Sequence, residues 1–355
     1  MLQTFVHRNV TDTAATIRVP GLTAPLTVLH LSDSHVDVGA DEGRQDDMRF
    51  MHGVYSQGAQ HRSSGEVTLA SDALATSLEL GRLASADLLC HTGDLVNFPS
   101  KAAVQHVQGA ISAAGFEGDS ALYISGNHDW EYGSPPEFEE DETGQVVASA
   151  GEWQFLDEPE LGSVEAVRVA ATSGALQALY DGRNPDAWVE ARGGLLFVAV
   201  DNTTYSVSSS QHAVLKEALA AVAAGDACGV VLMVHIPLYT PELYASMLAG
   251  GRDVADSLCG NPSSSHHPPD AETLSFIETV FSSAELAAVL CGHIHSAQCT
   301  RILGEWKRER PGERVPYPCH GSMQYVVDAG CYGGYRLLTF EPAGLAAAVD
   351  QSARL

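Results

Sequence analysis

Five short apolar runs in this chain each lead into a residue that can hold a metal or a proton, and that recurrence constrains the fold more than any bulk property. Leu26–Leu31 runs into Ser32-Asp33-Ser34-His35, and Asp87–His91 into Thr92-Gly93-Asp94-Leu95-Val96-Asn97. Ala121–Ser125 runs into Gly126-Asn127-His128-Asp129, Val230–Val234 into His235-Ile236-Pro237, and Ala287–Cys291 into Gly292-His293-Ile294-His295. Runs this short and this apolar read as buried strands. The polar residues therefore fall at the carboxyl ends of the strands, the edge at which open α/β sheets bind ligands.

The rest of the chain supports an α/β architecture. Leu195–Val200 reads as a further strand, and Gln324–Val327 and Tyr335–Phe340 as two more near the end. Helical periodicity fills Thr68–Ser85, Ala102–Ala114, Gln211–Ala224 and Ala271–Ser283. Strands and helices in alternation predict helices covering a sheet from both sides. A single domain over 1–355 is expected, interrupted by long connections at approximately 36–67, 131–192 and 239–270. Connections of that length in a compact domain are functional lids or disordered insertions. All three follow strands that end in candidate ligands, so they are expected to form a rim.

With 45% hydrophobic residues in 355, the chain has ample material for a core. Its formal net charge of -26 disfavours nucleic acid and anionic membrane surfaces as partners. An anionic substrate would need local positive charge, which bound cations supply. No stretch is apolar for long enough to span a bilayer, and the opening residues show no signal-peptide pattern, so a cytoplasmic location is expected. Of seven cysteines, Cys90 and Cys291 lie in apolar runs and read as reduced, buried thiols. A disulfide among Cys299, Cys319 and Cys331 is the alternative.

Taken singly, the motifs are weak. A strand-end Asp is usually a turn former or helix cap, and Gly-Asn is ordinary turn chemistry. Histidines at i and i+2, as in Gly292-His293-Ile294-His295, project to one side of an extended segment. Their order and shared context make the set informative. Carboxylate, imidazole and amide oxygen suit Mn, Fe, Zn or Co, and no cysteine stands among them to form a soft thiolate site. Two such cations could activate a water and clamp an in-line displacement at phosphorus, with no serine or cysteine nucleophile.

Asp-x-His, Gly-Asp, Gly-Asn-His-Asp, a later His and Gly-His-x-His, in that order from Asp33 to His295, resemble the calcineurin-like metallophosphoesterase superfamily. The resemblance implies a four-layer α/β/β/α sandwich with two divalent metal ions at the sheet edge. It implies that Asp33, His35, Asp94 and His295 hold one metal, and that Asp94, Asn127, His235 and His293 hold the other, with Asp94 bridging. His128 would touch the phosphoryl group as general acid or oxyanion stabiliser. Asp129 would either orient His128 or cap a local turn. Asp201 resembles a position supporting the ligands rather than a ligand, and Gly333-Gly334-Tyr335-Arg336 resembles the superfamily's terminal strands.

Two departures narrow the choice. Purple acid phosphatases place a tyrosine ligand where Asn97 stands, and they lack the Asp-x-His pattern. Protein serine/threonine phosphatases extend the second motif to Asp-Arg-Gly, where this chain has Asn97-Phe98-Pro99, which leaves the partner of His128 open. The expected activity is hydrolysis of a small phosphoester. A phosphodiesterase is slightly favoured because the connections could shape a pocket for a second ester group and the acidic Glu137–Glu142 run would disfavour a doubly charged monoester. The alternatives are a phosphomonoesterase on the same site and a non-catalytic interaction scaffold. Arg44, Arg49, His61 and Arg62 are candidates to reach a phosphate, whereas Asp46 and Asp47 read as solvated, and His266 and His267 as solvated loop residues with a lid contact as the alternative.

Overall fold

The computed structural model describes residues 5–38, 58–62, 64–97, 99–116, 118–130, 174–302 and 319–343, with short strands at 138–140 and 146–148. Arg44, Asp46, Asp47, Arg49, Glu137 and Glu142 lie outside the described residues.

Two mixed sheets form the centre. The first contains β1 (Val6–Arg8), β2 (Ala14–Val19), β3 (Leu26–Leu31), β6 (Leu88–His91), β7 (Ala121–Tyr123), β15 (Cys319–His320) and β17 (Arg336–Pro342). Its order is β15-β1-β2-β17-β3-β6-β7. The second contains β10 (Ala187–Arg192), β11 (Leu195–Val200), β12 (Val230–Met233), β13 (Leu286–Cys291), β14 (Gln298–Ile302) and β16 (Ser322–Val326). Its order is β10-β11-β12-β13-β16-β14. The short ribbons β4 (Ala59–Gln60) with β5 (Val67–Thr68) and β8 (Phe138–Glu140) with β9 (Val146–Ala148) stand apart from both.

The side chains of the second sheet explain the layering. Along β11, Phe197 and Ala199 join one core cluster, while Val198 and Val200 join the other. Along β12 the same split separates Val231 and Met233 from Val230 and Leu232. A strand with period-2 alternation and both faces apolar must be covered on both faces. One face packs on the first sheet; Gly229 of the second lies against the ring of Phe5, and Gly193 against Leu26. The other face is covered by α4 (Ser209–Ala224) and α6 (Ala271–Ser282), through Leu215, Leu219, Phe276 and Val280.

The outer face of the first sheet carries α1 (Ala70–Leu83) and α2 (Lys101–Ala113). The buried residues of α1 are Ala70, Ala73, Leu74, Ser77, Leu78 and Gly81, the i, i+3, i+4 stripe of an amphipathic helix. The arrangement is thus helix, sheet, sheet, helix, and the single sheet covered on both sides becomes two sheets, each covered by helices on one side. Both arrangements give doubly buried strands, so apolar runs alone do not distinguish them.

The expected strands and helices all form, with ends displaced by a residue or two. Other elements were not anticipated: β1, β2, β4, β5, β8, β9, β10, β14, β15, α3 (Gln177–Tyr180) and α5 (Pro241–Ala249). β10 and α5 fall inside the stretches read as connections. Arg336, wholly buried at the start of β17, donates to the carbonyl of Asp12 and lies over the Tyr325 ring at 5.2 Å. Its role is structural, as the resemblance implied. Cys299 and Cys331 carry free thiols, as do Cys90 and Cys291; the side chain of Cys319 lies outside the described residues. No helix among the described residues is long and apolar enough to cross a membrane.

Candidate metal centre

The loops after β3, β6, β7, β12 and β13 converge at one end of the sandwich. Asp33, His35, Asp94, His293 and His295 all have positive φ, between 45° and 67°. Strained left-handed backbone in non-glycine residues is uncommon and clusters at functional sites. At His293 and His295 it replaces the expected extended segment. The segment bends, and both imidazoles still face the same centre.

The loops are locked together by hydrogen bonds that leave the side chains aimed inward. Asp33 donates its N–H to the Gly93 carbonyl at 2.9 Å, and His35 to that of Asp94 at 2.9 Å. The sheets are also stitched to each other here. The His293 N–H donates to the Asp33 carboxylate at 2.9 Å, and His235 Nδ1 to the Thr92 carbonyl at 2.7 Å. This close approach accounts for two motif glycines. A Cβ on Gly126 would clash with Asp94 Oδ1, and one on Gly292 with Ser32 Oγ.

Donor atoms gather in three overlapping groups: Asp33, His35 and His295; His35, Asp94 and His128; and Asp94, His235 and His293. His295 Nε2 lies 3.2 Å from Asp33 Oδ1 and 3.1 Å from His35 Nε2. Asp94 Oδ2 lies 3.8 Å from His35 Nε2 and 3.3 Å from His235 Nε2, which is also 3.0 Å from Asn127 Oδ1. All seven residues proposed as ligands are therefore brought together, with Asp94 shared between the two sides.

Burial and charge set the protonation. Burial pushes the Asp94 carboxyl up, but His235 and His128 more than offset it and hold the carboxyl well below its usual range. The Asp33 carboxyl is likewise lowered, mainly by His295 acting against burial. His235 is raised to about 9, because Asp94 outweighs the burial that would lower it. His293 is pushed down to about 3 by burial and by the charge of His235. A cation entering beside His235 must displace its proton, so metal uptake and proton release are coupled.

His128 donates its backbone N–H to Asp94 Oδ1 at 2.7 Å, and its ring stands edge-on to that of His35 with centroids 4.7 Å apart. Burial lowers its pKa despite the nearby Asp94. The Asp129 carboxylate accepts from the Val96 N–H at 2.9 Å and the Gly126 N–H at 2.8 Å, ties that suit the turn-capping alternative. Burial and Asp94 raise it to about 7. Asp201 accepts from Trp130 Nε1 at 3.0 Å and from Thr203, and is not in any donor group.

Three further residues carry the site without having been singled out. The Asn202 amide donates to the Ile236 carbonyl at 2.7 Å and accepts from its N–H at 3.0 Å, fixing the chain beside His235. The Tyr205 hydroxyl lies 3.0 Å from His293 Nε2. Arg252 approaches the His295 carbonyl at 3.5 Å. Their only sequence signal was proximity to a strand end or to a long connection. Arg62, one of the anticipated candidates, donates to the same carbonyl at 2.8 Å and pairs with Asp328 at 3.2 Å. His61 packs against Gly333 and belongs to none of the donor groups. His266 is exposed and pairs with Asp256, but His267 stacks on Tyr205 at 3.9 Å, which corrects its reading as a solvated loop residue.

A family model for calcineurin-like phosphoesterases matches residues 26–297, which includes every donor described above. No curated protein matches the chain significantly. Similar solved structures include a dimetal phosphatase from Danio rerio, 11% identical over 89% of this chain and 92% of that one, with a TM-score of 0.46. A purple acid phosphatase from yellow lupin (Lupinus luteus) seeds is 13% identical over 90% of this chain and 46% of its own, with a TM-score of 0.45. A calcineurin-like phosphoesterase from Bacillus subtilis is 10% identical over 87% of this chain and 82% of its own, with a TM-score of 0.40.

Proposed function

We propose, for a chain that belongs to the calcineurin-like phosphoesterase family and is thereby a phosphoester hydrolase, that Asp33, His35, Asp94 and His295 hold one divalent cation and Asp94, Asn127, His235 and His293 a second. The observation that carries the assignment is Asp94, one buried carboxylate within 3.8 Å of His35 Nε2 on one side and 3.3 Å of His235 Nε2 on the other. The donors are oxygen and imidazole throughout, which fits Mn, Fe, Zn or Co. His235 has its Nδ1 committed to the Thr92 carbonyl, so its Nε2 lone pair is the one presented. Two cations bound there would lower the pKa of a water and screen the charge of a phosphoryl group.

The chain's own residues do the rest. His128, beside Asp94 and His35, is placed to hold a proton at an imidazole nitrogen and to hydrogen-bond a phosphoryl or leaving-group oxygen. Asp129 keeps the loops carrying Asp94 and Asn127 at a fixed separation through its bonds to Val96 and Gly126. Arg62 and Arg252 bring positive charge to the margin of the centre. In a chain of net charge -26 such local charge steers an anion inward.

The substrate in this reading is a small phosphoester in the cytoplasm, and a diester in preference to a monoester. A diester carries one negative charge where a monoester carries up to two, and the acidic chain repels it less. The test is metal content by mass spectrometry, followed by kcat/KM for a bis-aryl phosphate and an aryl phosphate under identical Mn and pH. About two metals per chain and turnover of the diester are expected. A monoester preference above about 1.4 kcal/mol, roughly tenfold, would overturn the diester assignment. Absence of turnover on both with metals bound would favour the scaffold.

A further inference from the structure

Tyr205 is buried at φ 61°, where a bulky side chain is strained. Such a conformation persists only when the surroundings hold it. Its N–H donates to the Asn202 carbonyl at 2.8 Å, in the same turn whose Asn202 amide clamps Ile236 beside His235. Its hydroxyl meets His293 Nε2 at 3.0 Å. The ring of His267 covers its own ring in parallel, 3.9 Å away at an interplanar angle of 1°.

The segment carrying His267 is itself anchored. The His267 N–H donates to Ser264 Oγ at 2.9 Å, and Ser264 Oγ donates to Asp256 Oδ1 at 2.7 Å. Asp256 also accepts from the Ser265 N–H at 2.8 Å.

An imidazole has two nitrogens, and the partner of one decides what the other presents. In His235 the Nδ1 is taken by a carbonyl and Nε2 faces Asp94 and Asn127. In His293 the commitment is reversed: Nε2 is taken by Tyr205, which leaves Nδ1 for the centre. We propose that Tyr205 is a positioning residue that holds His293 with Nδ1 toward the Asn127/His235 side, and that His267 clamps Tyr205 in place. This rests on the dimetal reading above.

Tyr205→Phe removes one oxygen and keeps the stacked ring, so it isolates the hydrogen bond. Protein loaded with Mn is titrated with a chelator while retained metal is measured by mass spectrometry. One of the two metals should leave Tyr205→Phe at a chelator concentration about 10–100-fold lower than in wild type, with the other unchanged. The melting temperature of metal-stripped Tyr205→Phe should fall by no more than about 2–4 °C below that of stripped wild type, the loss of one buried hydrogen bond. His267→Ala should shift the same metal by less, and His267→Phe, which keeps a flat ring, should restore it. Retention of both metals as tightly as wild type by Tyr205→Phe overturns the inference. So does equal weakening of both metals, the mark of a merely structural tyrosine. A wild-type chain that binds no second metal overturns the dimetal reading, and this inference with it.

Discussion

The two sheets contribute differently to the centre. The first supplies all of its oxygen donors, Asp33, Asp94 and Asn127, together with His35 and His128. The second supplies imidazoles only: His235, His293 and His295. Each sheet edge is incomplete alone. The first gathers two buried carboxylates whose charges repel, and the second gathers three histidines with no counter-charge. Docking the sheets pairs these needs, which is why Asp94 and Asp33 stay ionised despite burial while His235 and His295 are raised. A cation at either position would draw on both sheets, so a loaded centre would join the sheets as well as carry chemistry.

The sharpest way to break this comparison is Asp94→Asn. The amide retains the shape but loses the charge that serves both sides. Loss of turnover and of about two metals per chain is expected, because bridging requires the carboxylate. A metal count that stays at two, with activity near wild type, would remove Asp94 from the bridging position. The fold should persist with reduced stability, since bound metal stabilises only the folded chain.

Next in size is His128→Ala, which takes from the first sheet a group that the proposed reading assigns to the phosphoryl group and not to a metal. Metal content should remain near wild type while the rate falls on the order of 10²–10⁴. A deficit that shrinks for esters with good leaving groups marks a proton donor, and an equal deficit across leaving groups marks an oxyanion contact. No deficit at all would deprive His128 of either role.

The asymmetry between the sheets also explains what could be read from the chain. The donors were legible because each follows an apolar run and is a residue of a metal-binding type, and those runs are continuous because both faces of each sheet are covered. Edge strands such as β10 and β14 were not legible. Their alternation of buried and exposed residues is short, and β10 lies in a stretch whose polarity suggested a connection. The supporting contacts were harder still. That Asn202 holds Ile236, or that His267 covers Tyr205, depends on the meeting of segments far apart in sequence. His267 sits in a Ser/Pro stretch that composition assigns to solvent, and only the packed structure brings it to the centre's edge. Asp129 shows the limit from the other side. Its place beside His128 left an orienting role and a turn-capping role open, and only the packed structure brings its carboxylate to two backbone N–H groups from different loops.

The smallest expected effect separates docking of the sheets from their chemistry. Trp130, after β7 of the first sheet, donates its indole N–H at 3.0 Å to Asp201 Oδ2, which follows β11 of the second. This tie crosses between the sheets as the His293–Asp33 bond does, but neither partner belongs to a donor group. Asp201 is buried, and its other oxygen already accepts from the Thr203 N–H and hydroxyl. Trp130→Phe would withdraw a donor from a buried carboxylate and leave a smaller ring in its place. The cost should be about 2 kcal/mol, since a hydrogen bond to a charged group is worth about 1.5–3 kcal/mol. Chemical denaturation would measure it. If the sheets are held by many independent ties, both metals should stay bound and kcat/KM should move by less than about threefold, well under the 1.4 kcal/mol that a tenfold change represents. Release of a metal by Trp130→Phe would instead mean that the alignment of the two edges hangs on this one bond, and that supply of charge by one sheet and of imidazoles by the other is less robust than the stitched loops suggest.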